Sequence, residues 1–186
     1  CRSPSSSRRR RGFSKVQRRR SFIAVDYCHI MNPWINETLA AMQGRCQKRT
    51  QISVRYGVNT GSYLIQPKMP ELDITTGQKW YEEELKRRRF RISSPSFFQV
   101  NTAQAGRMID AIEDRLDLRG GEVIVDAFAG VGTFAAVLAS RAGRVIAIEE
   151  APAAVADAKV NVAGLDNVEL VEGKTEIVLP SLDTAV

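Results

Sequence analysis

The alternation of helical and extended patterns after residue 101 predicts an α/β chain whose second half begins an open parallel sheet with crossover helices. Before that point, short extended stretches cluster around a single helical pattern, which predicts a smaller β-rich α+β region. Charge divides the chain at nearly the same place. Residues 1–95 hold 20 Lys and Arg against 7 Asp and Glu, whereas residues 96–186 hold 7 against 14. A length of 186 residues with 44% hydrophobic content suffices for one ordinary domain or two small ones.

Residues 1–20 contain no acid and carry two arginine runs among Ser and Gly. Mutual repulsion and low apolar content predict a basic flexible arm, either a solubilising tail or a phosphate-contacting one. Phe22, Ile23 and Val25 read as a strand over 21–26. Asn32 then supplies a cap and Pro33 a first-turn proline for a helix carrying Ile35, Leu39 and Met42, ending near Gly44. Residues 52–56 and 62–65 read as strands joined by the turn-forming Asn59-Thr60-Gly61, and residues 90–92 as a further strand after the basic cluster 86–89. Asn101 with Gln104 forms a capping box that opens a helix bearing Ala105, Met108, Ile109, Ile112 and Leu116. Buried strands are expected at 123–125, 145–148 and 168–171, with helices at 135–139 and, begun by Pro152, at 153–162.

Several classes are excluded by what the composition lacks. The longest nearly apolar stretch, residues 127–140, is shorter than a bilayer span of roughly 20 residues and is broken by glycines, so no membrane partner is expected. The first residues lack the apolar run of a secretory signal, and a cytoplasmic location is expected. Three cysteines without a Cys-x-x-Cys pair make no disulfide framework, and a single histidine excludes zinc sites built on several imidazoles. The basic first half points to a polyanionic partner, nucleic acid before a membrane surface. Eleven of the 13 aromatics lie in residues 1–98. Most of them, Phe22 and Phe90 included, are expected in a core, while Tyr56, Tyr63 and Trp80 are the candidates for exposed base-stacking faces.

The segment Val125-Asp126-Ala127-Phe128-Ala129-Gly130-Val131-Gly132-Thr133-Phe134 carries the chemistry. A strand ends in an acid, and glycines follow four and six residues later at the entrance to a helix. Glycines there admit a ligand close to the backbone, and the helix start presents free N–H groups. Asp126 at the strand end suits a cationic ammonium. Glu149 ends the next strand, and adjacent strand ends of a parallel sheet line one crevice, so it suits two ribose hydroxyls of a nucleoside. The pattern Gly130-x-Gly132-x-x-Ala135 also meets the looser dinucleotide fingerprint. Four residues separate the strand from its first glycine, however, and put a carboxylate where a pyrophosphate would sit, which favours an adenosyl amino acid.

Phe97-Phe98-Gln99-Val100-Asn101, followed by this loop, resembles the RNA uracil-5-methyltransferase family, which makes 5-methyluridine in ribosomal or transfer RNA. The resemblance spans roughly residues 12–179 and includes Val25-Asp26-Tyr27-Cys28, Asn32-Pro33-x-Ile35-Asn36, Ile52-Ser53-Val54-Arg55 and Ala158-Lys159-x-Asn161. It implies a Rossmann-like S-adenosylmethionine-dependent methyltransferase fold. It further implies that S-adenosyl-L-methionine is held by Gln99, Asp126, Phe128, Gly130, Gly132 and Glu149. Cys28 falls where iron–sulfur members of the family keep their last cluster ligand, but the other three would precede this chain, and no metal site is assigned. In the family a cysteine thiolate adds to uracil C6 so that C5 can take the methyl group. The cysteine and the base follow an Asp-Pro-Pro-Arg strand end that does not occur before Val186, so no catalytic residue is assigned and the chain by itself is expected not to methylate RNA. Gly173-Lys174 departs from the family by replacing an acid near the adenine.

The expected organisation is a basic arm at 1–20, a β-rich RNA-contacting region at 21–95, and the first half of a methyltransferase domain at 96–186. With only three sheet strands present, the free edge beside the Val123 strand is expected to expose apolar surface. The alternatives are a methyltransferase for another acceptor and a non-catalytic RNA-binding fragment.

Overall fold

A computed structural model describes residues 25–46 and 50–182. The basic arm and most of the strand expected at 21–26 lie outside the described residues; Val25 and Asp26 themselves are not in a strand. The described chain divides into two compact units: residues 25–56 with 64–78, and residues 57–63 with 79–182.

In the first unit, α1 (Pro33–Met42) starts where the sequence places it. Asn32 Oδ1 accepts the Trp34 N–H at 2.9 Å, and Pro33 occupies the first turn, where it has no N–H to waste. The buried Asn36 side chain accepts the Cys28 N–H at 2.9 Å and donates to the Cys28 carbonyl at 3.0 Å, tying the preceding segment to the helix. Strands β1 (Ser53–Tyr56) and β2 (Tyr63–Gln66) form a two-stranded sheet. Met42, Cys46, Leu64, Ile65, Met69 and Leu72 are buried in this unit. Tyr56 stacks on Trp34 with ring centroids 4.8 Å apart. Tyr56 and Tyr63 are half-buried rather than exposed, and for Tyr56 the stacked Trp34 ring of α1 covers one face.

The second unit opens with a hairpin of β3 (Trp80–Leu85) and β4 (Arg88–Ser93). The sequence reading missed β3, since Glu82-Glu83-Glu84 breaks the apolar pattern. Its burial nevertheless alternates, with Tyr81, Glu83 and Leu85 inward. Glu83 is 2% exposed and accepts the N–H groups of Val58 at 2.7 Å, Asn59 at 3.0 Å and Glu84 at 2.8 Å, so a loop with no strand partner satisfies a buried acid. Phe90 is fully buried, as expected, and Trp80 is exposed with the Arg91 guanidinium 5.3 Å over its ring. Helix α2 (Thr102–Leu116) begins at the expected cap, where Asn101 Oδ1 accepts the Gln104 N–H at 3.1 Å. Its buried stripe is narrower than the periodicity implies: Ala105 and Ile109 are buried, whereas Met108 and Leu116 are exposed.

Strands β5 (Val123–Ala127), β6 (Arg144–Glu149) and β7 (Val168–Glu172) form a parallel sheet in the order β5-β6-β7, connected through α3 (Thr133–Leu138) and α4 (Pro152–Asn161). This is the parallel sheet with crossover helices that the sequence predicts. A short α5 (Thr175–Val178), not foreseen, follows β7. The central strand buries Val145, Ile146, Ala147 and Ile148. Alanines at 129, 135, 139 and 142 pack with Val145 and Ala147, and these small side chains let helix and sheet backbones approach closely. Strand β5 was expected to be buried, but it stands at the edge of the described sheet, and Val123 is 54% exposed. That exposure is the apolar edge anticipated from the strand count.

Candidate cofactor site

The chain leaves β5 through three left-handed residues in five: Phe128 at φ +63°, Gly130 at +55° and Gly132 at +78°. Such a run turns backbone N–H groups toward the strand ends instead of into a helix. The Ala129 N–H donates to the Ile148 carbonyl at 2.8 Å, pinning the loop to β6. Glu149 continues β6 and fastens the loop a second time. Its Oε2 accepts the Gly130 N–H at 2.8 Å and its Oε1 accepts the Ala151 N–H at 2.8 Å. A carboxylate offers about four lone-pair sites, so each oxygen keeps one for a ligand hydroxyl.

Asp126 lies one strand over and accepts the Ala135 N–H at 2.9 Å through Oδ2, thereby capping the first turn of α3. Burial pushes its carboxyl up to about 6; the Ala135 N–H opposes the shift and the negative Glu149 adds to it. The two acids thus stand close enough to repel, at the ends of neighbouring strands. A cation beside them would offset the cost of the buried charge and counter the repulsion.

The predicted residues are not all alike in their surroundings. Asp126, Gly130 and Glu149 converge at the loop. A side chain at Gly130 would meet nothing within 4 Å, so open space faces this residue. Gly132 is different: a Cβ there would lie 3.2 Å from Val162 Cγ1 and 3.4 Å from Ala158 Cβ, which makes this glycine a packing residue against α4. Phe128 is 73% exposed. Gln99 is exposed, and among the described residues no hydrogen bond joins it to the loop. The sequence reading gave no role to Asp157, fully buried within α4, or to Asn161 at that helix's end, whose amide donates to the Val131 carbonyl at 2.9 Å. An acid amid Val155, Ala156 and Ala158 was the available signal.

A depression of about 610 Å³ also exists in this unit, between the β3–β4 turn and α2, lined by Asn59, Lys86, Thr102, Arg107 and Asp110 among others. None of the predicted cofactor residues lines it. Asp126 and Glu149, with the loop amides they accept from, lie at the strand ends instead, and these make the candidate site.

Residues 89–178 match the family model of the TRM5/TYW2 methyltransferase domain. The tRNA (uracil-5-)-methyltransferase homolog A of Homo sapiens is 33% identical over 178 residues, which is 90% of this chain and 28% of that protein. An uncharacterized RNA methyltransferase of Thermosynechococcus vestitus is 38% identical over 118 residues, 62% of this chain and 26% of that one. The chain therefore spans about a quarter of the length of these relatives. Among solved structures, the Pyrococcus abyssi tRNA (uracil-54, C5)-methyltransferase in complex with S-adenosyl-L-homocysteine superposes with a TM-score of 0.63 at 19% identity, covering 83% of this chain and 50% of that one. Trm5b from the same organism gives 0.50 at 19% identity, covering 74% of this chain and 41% of that one. This chain is related to RNA methyltransferases, and it carries the Rossmann-like fold of S-adenosylmethionine-dependent methyltransferases.

Proposed function

We propose that the β5–α3 loop binds S-adenosyl-L-methionine and that the whole protein methylates RNA, at C5 of a uridine. The carrying observation is the Glu149 carboxylate bound to the Gly130 N–H, with open space beside that glycine and the Asp126 carboxyl, bound to the Ala135 N–H, one strand away. These groups fit a sulfonium nucleoside. Asp126 faces its ammonium, Glu149 takes the ribose hydroxyls on its remaining lone pairs, and Phe128 and Gln99, both exposed, supply a ring face and an amide from the flanking segments. When bound, the cofactor supplies an electrophilic methyl group. The residues of this chain serve to bind and orient it, and no nucleophile or base is assigned among them. The uridine acceptor rests on the Phe97-Phe98-Gln99-Val100-Asn101 resemblance and on the likeness to the human homolog. A second acceptor class remains in view because the matching family model is that of TRM5/TYW2.

RNA would be held by the basic first half, including the free cations of the β3–β4 turn, with phosphate contacts positioning it and a flipped base entering the cleft. Calorimetric titration with S-adenosylhomocysteine tests the cofactor reading: micromolar binding is expected, lost in Glu149→Ala. An unchanged affinity in that variant, or occupancy of the loop by NADH, would overturn it. Digestion of RNA methylated by the full-length protein separates the acceptors, since recovery of 5-methyluridine supports the first and a different methylated nucleoside the second.

A further inference from the structure

The glycine loop and the segment leading to Gln99 are both fastened to one face of α4, by side chains one turn apart. The Asn161 amide makes three hydrogen bonds: Oδ1 accepts the Arg91 N–H at 2.8 Å, and Nδ2 donates to the Arg91 carbonyl at 3.0 Å and to the Val131 carbonyl at 2.9 Å. It therefore acts as a strand-like partner for β4 while holding the residue between Gly130 and Gly132. One acceptor facing an N–H and two donors facing carbonyls is a demand that a carboxylate, with no donor, fails.

Asp157 lies four residues earlier and therefore on the same side of the helix. Its Oδ2 accepts the Ser93 N–H and the Ser96 hydroxyl, both at 2.7 Å, and its Oδ1 accepts the Ser93 hydroxyl at 2.8 Å and Arg91 Nε at 3.0 Å. All of its acceptor positions are filled by β4 and the turn after it. Arg91 adds a bond from Nη2 to the Ala156 carbonyl at 2.9 Å. Ser96 precedes Gln99 by three residues. Gly132 presses on Ala158 and Val162, so the loop meets this helix through packing as well as through Asn161.

The geometry points to Asn161, supported by Asp157, as a positioning residue that holds the glycine loop in register with the β4–Gln99 segment across the cofactor cleft. This inference rests on the cofactor reading for its functional meaning. Its physical content, a clamp on the Val131 carbonyl, stands apart from that reading.

Two measurements on the same variants test it: hydrogen exchange of amides 128–133 without ligand, and S-adenosylhomocysteine affinity. Asn161→Ala is expected to speed exchange in the loop and weaken binding by about tenfold, as displaced positioning groups do. Ile109→Ala serves as the control, because Ile109 is a core residue of α2 outside the clamp. At matched global stability it is expected to leave both readouts unchanged. If Asn161→Ala does not fold, Asn161→Asp keeps the acceptor for Arg91 and removes both donors, with the same expected direction. Loop exchange in the Asn161 variant equal to that of the Ile109 control overturns the clamp. Faster loop exchange with wild-type affinity overturns its role in binding. Failure of the unaltered protein to bind S-adenosylhomocysteine refutes the cofactor reading, while the exchange data still decide the clamp.

Discussion

Asp126 carries an acid whose carboxyl in the fold, at about 6, lies above its ordinary 3.8. Between those two values the folded chain binds more protons than the unfolded one, so stability falls as pH rises from about 4 to about 6 and stays at the lower level above it. Asp126→Asn keeps an oxygen for the Ala135 N–H but has no charge to bury. It is expected to raise stability at pH 7 by about 1–2 kcal/mol, a figure discounted for partial exposure, and to flatten the pH dependence in urea titrations. The same variant is expected to lose cofactor affinity, since stability and function oppose each other at a site built on an unneutralised acid. In the unaltered protein, binding of an ammonium-bearing ligand requires the ionised acid. S-adenosylhomocysteine affinity should therefore weaken by about tenfold from pH 7 to pH 5, and a flat profile would show that Asp126 does not face the ligand. The two glycines part company in the same way. Gly130→Ala meets open space and carries only the left-handed backbone penalty, on the order of 1 kcal/mol, whereas Gly132→Ala adds the contact with Val162 and Ala158 and should cost about 2–3 kcal/mol in chemical denaturation.

The β3–β4 hairpin shows an element bearing a local conflict. Its register pairs Leu85 with Arg88, leaving Lys86 and Arg87 as a two-residue turn with φ of +53° and +61°. Such turns favour Asn and Gly, and two long cationic side chains sit there at a backbone penalty. Lys86 is paired with Asp110 and Arg89 with Glu82, but Arg87 and Arg88 have no partner among the described residues. Arg87→Gly is expected to stabilise the chain by about 1 kcal/mol in thermal melts and to weaken RNA binding, an exchange that places charge, not folding, behind the residue choice. The hairpin also shows what pattern reading misses. Helices α1 and α2 were legible because Asn32 and Asn101 cap through bonds to residues two and three positions on. Strand β3 was not, because its inward Glu83 is satisfied by amides 24 and 25 residues away.

Over the whole chain, the separation of basic and acidic halves predicts an electrostatic, salt-sensitive hold on RNA. The logarithm of single-stranded RNA affinity should fall linearly with that of salt, and Arg87→Gly should reduce the slope by about 0.7 per lost phosphate contact. Fluorescence anisotropy at rising salt checks this, and a salt-independent affinity would remove the polyanion from the account. Fold class, the order of the parallel elements and the Asp126-to-Gly132 loop with Glu149 were present in the sequence, because caps, periodicity and glycine turns are local and leave local marks. Three matters were decided only in three dimensions: that Gly130 faces open space while Gly132 packs, that Gln99 is exposed with no hydrogen bond to the loop among the described residues, and that Asp157 and Asn161 join α4 to β4 and the loop. Their physical cause is common. A buried polar group must find its partners wherever the fold brings them, and those of Asp157 and Asn161 lie 30 to 70 residues distant, beyond the reach of any periodic pattern.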